Sequence, residues 1–133
     1  MWQTYALLSA FFAALTAIFA KIGVSSINSN LATAVRTTVI LIITWFAALA
    51  FSDLSQIKRI SASSLLFLIL SGCTTGLSWL FYFKALKISD ASKVAPVDKL
   101  SVVFTVVLAF IILGEQPSLK VIAGCSLIFM GAL

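Results

Sequence analysis

The sequence predicts an all-α polytopic membrane protein, a bundle of about five transmembrane helices, and two observations lead to that prediction. Hydrophobic residues make up 62% of the 133 residues and charged residues only 10%, whereas ordinary soluble domains carry about 25% charged residues. The hydrophobic residues also fall into runs of about 20, the length at which a helix crosses a hydrocarbon core of roughly 30 Å. These runs lack the alternating polarity of a membrane β-barrel, so the spans are predicted to be helices.

Five spans are predicted, separated by short polar segments. They cover residues 5–24, 31–51, 64–83, 94–114 and 120–133. The first run has no basic segment before it, so we expect a retained span and not a cleaved signal peptide. The fifth run reaches only about 20 Å at 1.5 Å per residue, so we expect a few further residues after Leu133 in the natural protein. Short connections predict antiparallel neighbours within a single transmembrane domain, 1–133.

The basic residues indicate lipid contact and membrane orientation. The net charge is +5, but the basic residues are spread over loops and span ends, without the basic stripe of a nucleic-acid-binding protein. Six of the nine Lys and Arg residues fall on one side of a five-span layout, which favours that side as cytoplasmic and the N-terminus as outside. These six are Lys21, Arg36, Lys84, Lys87, Lys93 and Lys99.

Polar and small residues are spaced along the predicted spans at helical intervals. One face of span three is expected to hold Ser71, Thr75, Ser78 and Tyr82. Glycines are predicted at close helix contacts, where they let two backbones approach: Gly72 and Gly76 in span three, and Gly124 and Gly131 in span five. The hydroxyl face has two open interpretations, which are helix packing and a hydrated cavity that is lined for a solute.

Ionisable groups inside the predicted spans are candidates for function, because a charge in lipid is costly. Counting 1.5 Å per residue, Asp98 in span four lies about 6 Å below the membrane surface, and Arg36 in span two lies about 7 Å below it. Lys99 and Arg36 have stems long enough to reach the headgroups, whereas Asp98 does not. Ser101 and Thr105 share a helix face with Asp98.

Two roles are open for Asp98. In a dry environment it could take up and release a proton and so couple transport to a proton gradient. Pairing with Arg36 or Lys21 would instead keep it ionised as a structural ion pair. The basic charge left over at the same mouth would then attract an anionic solute.

No catalytic, metal or cofactor site is predicted. The chain has no histidine, and Cys73 and Cys125 lie in apolar runs, where they are predicted to be small buried residues and not a redox or metal site. The acidic residues show no catalytic spacing and no nucleophile motif accompanies them: Asp53, Asp90, Asp98 and Glu115. An enzyme is therefore not expected.

Residues 81–133 combine several features that are informative together. An aromatic-Ala-Leu sequence ends the third span, and a Ser/Ala loop leads into Ala95 and Pro96. Gly114 and Glu115 close the fourth span, and Gly124 and Gly131 lie in the fifth. This combination resembles the EamA-type half of the drug/metabolite transporter superfamily, and the preceding spans fit the same layout.

The resemblance implies a transporter of small metabolites or drugs. Typical members have ten spans in two five-span halves of opposite orientation, so this chain resembles one half, or a short single-unit subfamily. It departs from the common pattern at Asp98, Lys99 and Ser101, where neutral residues and a second proline are usual. Related small multidrug pumps carry a carboxylate in the first span, which this chain lacks, so their mechanism is not expected here.

We therefore expect a secondary transporter in the bacterial inner membrane, or a half-transporter that acts as a dimer with itself or a sister chain. Its partners would be the lipid bilayer and a small-molecule solute. The candidate residues of the substrate path are Asp98, Arg36, Lys99, Ser101, Thr105, Ser71, Thr75, Ser78 and Tyr82. The alternative is a small non-transporting subunit that stabilises or regulates another membrane protein. Polar side chains facing a shared cavity would favour transport, and polar side chains satisfied at helix contacts would favour the subunit.

Overall fold

The computed structural model describes residues 1–52 and 54–132, and every regular element in this part of the chain is helical. The α-helices are α1 (Trp2–Val24), α2 (Ser29–Phe51), α3 (Ala62–Ile88), α4 (Ala91–Asp98), α5 (Leu100–Leu108) and α6 (Leu119–Ala132). A 3₁₀ helix covers Leu54–Arg59, and a π-helical turn, Ala109–Leu113, continues α5. The predicted all-α fold class is confirmed.

Four stretches of the described chain are long and apolar enough to cross a membrane. They are α1, α2, α3 and the stretch Ala91–Leu113, which combines α4 with α5 and its π-helical turn. The remaining helix, α6, has 14 residues, or about 21 Å at 1.5 Å per residue. Large apolar side chains point outward along these helices, for example Phe67 and Ile112, as expected where lipid surrounds a helix.

The third helix continues past its predicted end. Lys84 and Lys87 were expected in a loop, but both lie in α3, and only Ser89 and Asp90 separate α3 from α4. Lysine is a good helix former, so a polar sequence at the membrane surface does not have to end a helix. The Asp90 carbonyl oxygen accepts hydrogen bonds from the N–H groups of Lys93 and Val94 and so begins α4.

The predicted fourth span is not one continuous α-helix. Pro96 lies inside α4, and a proline has no N–H to donate to the carbonyl four residues earlier. The regular α-helical hydrogen bonding is interrupted locally at Lys99, whose backbone stays right-handed (φ −69°, ψ −6°) and whose N–H still donates to the Ala95 carbonyl oxygen at 3.1 Å. The span therefore remains one helical stretch with a local irregularity. The Val102 N–H donates to the Lys99 carbonyl oxygen over three residues, at 3.0 Å. The adjacent charges of Asp98 and Lys99 therefore coincide with an interruption of the helix.

Gly114 ends the same span in a left-handed conformation, with φ of 70°. The N–H groups of Gly114 and Glu115 both donate to the carbonyl oxygen of Ala109, which widens the last turn beyond α-helical spacing. Residues with a Cβ rarely adopt this backbone conformation. Gly114 is therefore the residue that allows the chain to leave the span at this point.

The chain forms two compact units, Ile18–Ile88 and Met1–Ala17 with Ser89–Leu133. The buried residues of the first unit lie at the end of α1, the start of α2 and the end of α3, and they are Ala20, Val24, Ala32, Thr33, Phe83 and Leu86. Val24 and Leu86 have no exposed surface. In the second unit, α5 packs against α6, and α4 also contacts α6.

The two cysteines are less buried than predicted. Cys73 is exposed on the surface of α3, and Cys125 in α6 is half-buried. The reason for Cys73 is that the buried residues of α3 are confined to its last turns, at Phe83 and Leu86. Both cysteines still lie within apolar helices, so lipid can surround them in place of protein.

Candidate solute-binding site

Two lysines join the ends of α1 and α3 reciprocally. Lys21 of α1 donates a hydrogen bond from its Nζ to the carbonyl oxygen of Leu86, in the last turn of α3. Lys87 of α3 donates from its Nζ to the carbonyl oxygens of Val24 (2.8 Å) and Ile27 (2.6 Å), at and after the end of α1. The last carbonyls of a helix have no partner within it and carry partial negative charge. The two ammonium groups therefore stabilise both helix ends.

The guanidinium group of Arg36 lies over the indole ring of Trp79. Its Cζ is 3.5 Å from the ring centroid, and 5.9 Å from the centroid of Phe83. An arginine over a tryptophan face is a favourable cation–π arrangement, about 2 kcal/mol where water is excluded. Arg36 is half-buried, so α3 supplies an aromatic face for a charged side chain of α2.

Aromatic neighbours hold Trp79 in position. Tyr82 packs edge-on against Trp79, with ring centroids 5.1 Å apart at 79°, and Phe83 lies 5.8 Å away at 47°. Phe83 is 2% exposed and belongs to the buried part of the unit. Trp79 is therefore held by the half-buried ring of Tyr82 and the buried ring of Phe83.

The stack lies deeper than the lysine contacts. Arg36 is seven residues from the start of α2 and Trp79 is nine residues from the end of α3, distances of about 10 and 13 Å along each helix. Lys21 and Lys87 lie within one turn of the ends of α1 and α3. A charge at the depth of Arg36 inside a span is a functional candidate.

The predicted hydroxyl face of α3 is exposed apart from Tyr82, which is half-buried. Thr75 donates from Oγ1 to the Ser71 carbonyl oxygen of its own helix at 2.8 Å. Thr105 of α5 donates in the same way to Ser101, at 2.7 Å. The hydroxyl protons of Thr75 and Thr105 are therefore satisfied within their own helices. Their hydrogen bonding requires neither a contact with another helix nor a polar cavity.

The predicted glycine contacts are not made within the unit that holds each glycine. Apart from the adjacent residues and backbone of its own helix, a Cβ built on Gly72 or Gly76 meets no described atom of Ile18–Ile88 within 4 Å, and one built on Gly124 or Gly131 meets none in its own unit. Within each unit, no second helix therefore approaches these glycines as closely as the sequence predicts. Any such contact needs a surface from outside the unit.

The candidates of the other unit lie around the interruption of span four. Asp98 and Lys99 are exposed at the junction of α4 and α5, and Asp98 makes no ion pair with a described residue of its own unit. Thr105 lines an open groove of about 370 Å³ together with Glu115 and Pro117, between α5 and α6. The shared face of Asp98, Ser101 and Thr105 stays a prediction.

A second open groove, about 750 Å³, lies at the opposite end of α2 and α3. Trp45, Gln56 and Arg59 contribute to its lining, together with the first turns of α3. It contains none of the residues predicted for the substrate path. Its openness and its position after the 3₁₀ helix fit a surface groove at the membrane boundary.

Sequence reasoning missed Trp79, Phe83 and the paired lysine contacts. Arg36 was identified from its charge inside an apolar run, and Tyr82 from helical spacing, but nothing in either pattern connects α2 with α3. The aromatic residues Trp79, Tyr82 and Phe83 are a signal in the sequence for this cluster, because residues three and four positions apart share a helix face. The sequence predicts Lys21 near the end of span one and Lys87 in the loop after span three, and it does not indicate their contacts with each other's helices.

The fold and these features define a polytopic membrane protein of the transport class, with charged groups held inside its spans. The chain belongs to the EamA-like transporter family, whose model matches residues 1–133. A protein of Sinorhizobium sp, described as an uncharacterized transporter in the cobO 3' region, is 49% identical over 132 residues, which cover 99% of this chain and 94% of that protein. No solved structure matches the chain. The predicted family is confirmed, and the protein is an integral membrane protein of a transporter family.

Proposed function

We propose that the chain is a half-transporter that works as a dimer and carries a small metabolite or drug across the bacterial inner membrane as a secondary transporter. The observation that carries this proposal is the interruption of span four beside Asp98 and Lys99. Irregular backbone at membrane depth is tolerated where it is buried in protein or lines a water-filled cavity. Solute sites of secondary transporters are typically built at such breaks.

The residues around the break suit a solute path. Asp98 and Lys99 supply opposite charges at the junction, and Ser101 and Thr105 follow on the first turns of α5. In the unit Ile18–Ile88, the proposed path residues are Arg36, Ser71, Thr75, Ser78 and Tyr82. The bacterial source of the relative from Sinorhizobium supports the inner membrane as the location.

The dimer follows from the family layout and from α3. A five-span unit is half of the ten-span arrangement that the chain resembles, and transporter sites of this kind lie at the interface of two repeats. Gly72 and Gly76 form an exposed small-residue face near the middle of α3. We propose a second copy of this chain as the occupant of that face, since glycines let two backbones approach closely.

Transport is tested by counterflow in proteoliposomes against a panel of carboxylates, amino acids, phosphate esters and amines. Asp98→Asn is expected to reduce flux of the transported solute at least tenfold while leaving helix content unchanged. The matched control is Asp90→Asn, which removes an exposed partner of Lys93 at 3.5 Å and should keep full flux, because exposed ion pairs contribute little. Unchanged flux in a correctly inserted Asp98→Asn protein at every pH would remove Asp98 from the path.

A further inference from the structure

We propose that Arg36, held over Trp79, binds an anionic group of the solute, a carboxylate or a phosphate. This inference rests on the proposed function, because it names the chemical class that the transporter recognises. Arg36 is the one basic side chain of the described unit that stacks on an aromatic ring at membrane depth.

The guanidinium edges are available for a ligand. Arg36 makes no side-chain hydrogen bond and no ion pair with any described residue of Ile18–Ile88. Stacking on Trp79 covers a face of the guanidinium plane. The N–H donors lie in that plane, so stacking leaves them available to a ligand. Those donors match a carboxylate or phosphate in a two-point hydrogen-bonded geometry.

None of the described residues of the first unit is acidic, so none of them neutralises Arg36. Between residues 18 and 88 the sequence contains one acidic residue, Asp53, which lies outside the described residues. Lys21 and Lys87 place two more basic side chains at the same end of the unit, where they contact carbonyl oxygens. This concentration of positive charge attracts an anion.

Trp79 makes the binding measurable. The chain has three tryptophans, so Trp2→Phe and Trp45→Phe leave Trp79 as the only indole. The protein is reconstituted in phosphatidylcholine nanodiscs and titrated with succinate, its neutral diamide succinamide, the diamine putrescine and inorganic phosphate. We expect succinate or phosphate to change Trp79 fluorescence saturably, and succinamide and putrescine to leave it unchanged.

The variants separate Arg36 from general charge. Arg36→Gln should weaken anion binding at least tenfold, and Arg36→Lys should weaken it less while keeping the preference for anions. The matched control is Lys84→Gln, which removes one charge from exposed surface of the same end of α3 and should bind within twofold of the parent. If circular dichroism shows that Arg36→Gln does not fold, the anion binding of Arg36→Lys is compared with that of the parent instead. Equal binding by the Arg36 variants and the parent would overturn the inference.

A lipid headgroup is the other source of the same chemistry. Nanodiscs containing 30% phosphatidylglycerol should leave the response to succinate or phosphate in place. A Trp79 change caused by phosphatidylglycerol, with no response to either soluble anion, would assign Arg36 to lipid and overturn the inference. Anion binding without flux of any solute would contradict the proposed transport alone. Full flux of a neutral or cationic solute by Arg36→Gln would contradict the anionic class alone.

Discussion

Lys21 and Lys87 show how charge at a span end can belong to the fold. Each ammonium group reaches the end of the other lysine's helix, where backbone carbonyls lack helical partners. Their positions at span ends fit membrane orientation as well. The geometry adds a second role, because both side chains connect α1 to α3. They therefore stabilise both helix ends, whereas Arg36 is the residue proposed for recognition.

Replacing Lys87 by alanine should lower stability by about 1 kcal/mol, since hydrogen bonds from a charged donor to helix carbonyls are lost at a partly hydrated site. The measurement is thermal unfolding in detergent, followed by circular dichroism. Lys84→Ala is the control, because Lys84 is exposed one turn earlier on the same helix. Equal unfolding temperatures for the two variants would show that the contacts of Lys87 with α1 do not stabilise the protein.

For individual residues, the sequence shows which ones are unusual but does not show which residues they contact. Arg36 is conspicuous because it is a charge within an apolar run, and that property is local. Its contact with Trp79 depends on how α2 and α3 pack, at a sequence separation of more than 40 residues. The exposed position of Cys73 has the same origin, since apolar sequence does not distinguish a lipid-facing surface from a protein core.

The divided fourth span is the main structural feature at the level of elements. Pro96 lacks the N–H that a continuous helix would use, and the regular hydrogen bonding is interrupted at Lys99, three residues later. A break inside a span is favourable only where freed backbone groups find partners or water. The break and its two charges are therefore treated as one functional element.

Pro96→Ala should make the span more regular and impair transport. Alanine restores an N–H at position 96 and removes the clash of the proline ring with the preceding turn, so the unfolding temperature should stay level or rise. Flux should fall at least fivefold, because the proposed path depends on the break. Slow hydrogen exchange of the new amide at position 96 would report the regularised helix. Full flux together with that slow exchange would contradict the role given to the break.

Helix existence was predictable here, and helix ends were not. The long apolar runs predict the first four spans, and α6 overlaps the fifth predicted run over residues 120–132. The end of α3 was misplaced because polarity marks the membrane surface, whereas lysines continue a helix readily. The proline in span four is a visible breaker in the sequence, yet the position of the irregularity at Lys99 required the structure.

For the whole molecule, the exposed glycine face of α3 is the feature that points to assembly. Gly72, Cys73 and Gly76 lie near the middle of α3, and a two-fold axis in the membrane plane would bring two copies of a helix together near their midpoints. Cys73 is exposed beside the glycines. The cysteine that was expected to be buried therefore offers a direct probe of the dimer.

A short thiol cross-linker applied to native membranes should join two copies through Cys73. The dimer band should persist in Cys125→Ser and disappear in Cys73→Ser, as judged by denaturing gel electrophoresis. Gly72→Leu with Gly76→Leu should abolish the band, because the larger side chains keep the two backbones apart. Gly23→Leu, at a helical glycine that also has open space around it, is the control and should keep it. Undiminished cross-linking of the double variant would place the interface elsewhere.

The most direct measurement of the central claim is solute flux into proteoliposomes made with equal amounts of the parent protein and the Gly72→Leu, Gly76→Leu variant. The account predicts saturable, protein-dependent flux of at least one member of the solute panel by the parent protein. Flux near that of empty liposomes is expected for the variant, whose helix content should match the parent because, apart from the adjacent residues and backbone of α3 itself, no described atom of its own unit lies within 4 Å of the new Cβ positions. Equal flux by the parent protein and a variant that is monomeric on cross-linking would contradict the dimeric half-transporter, and no flux of any solute by the parent protein would contradict transport itself.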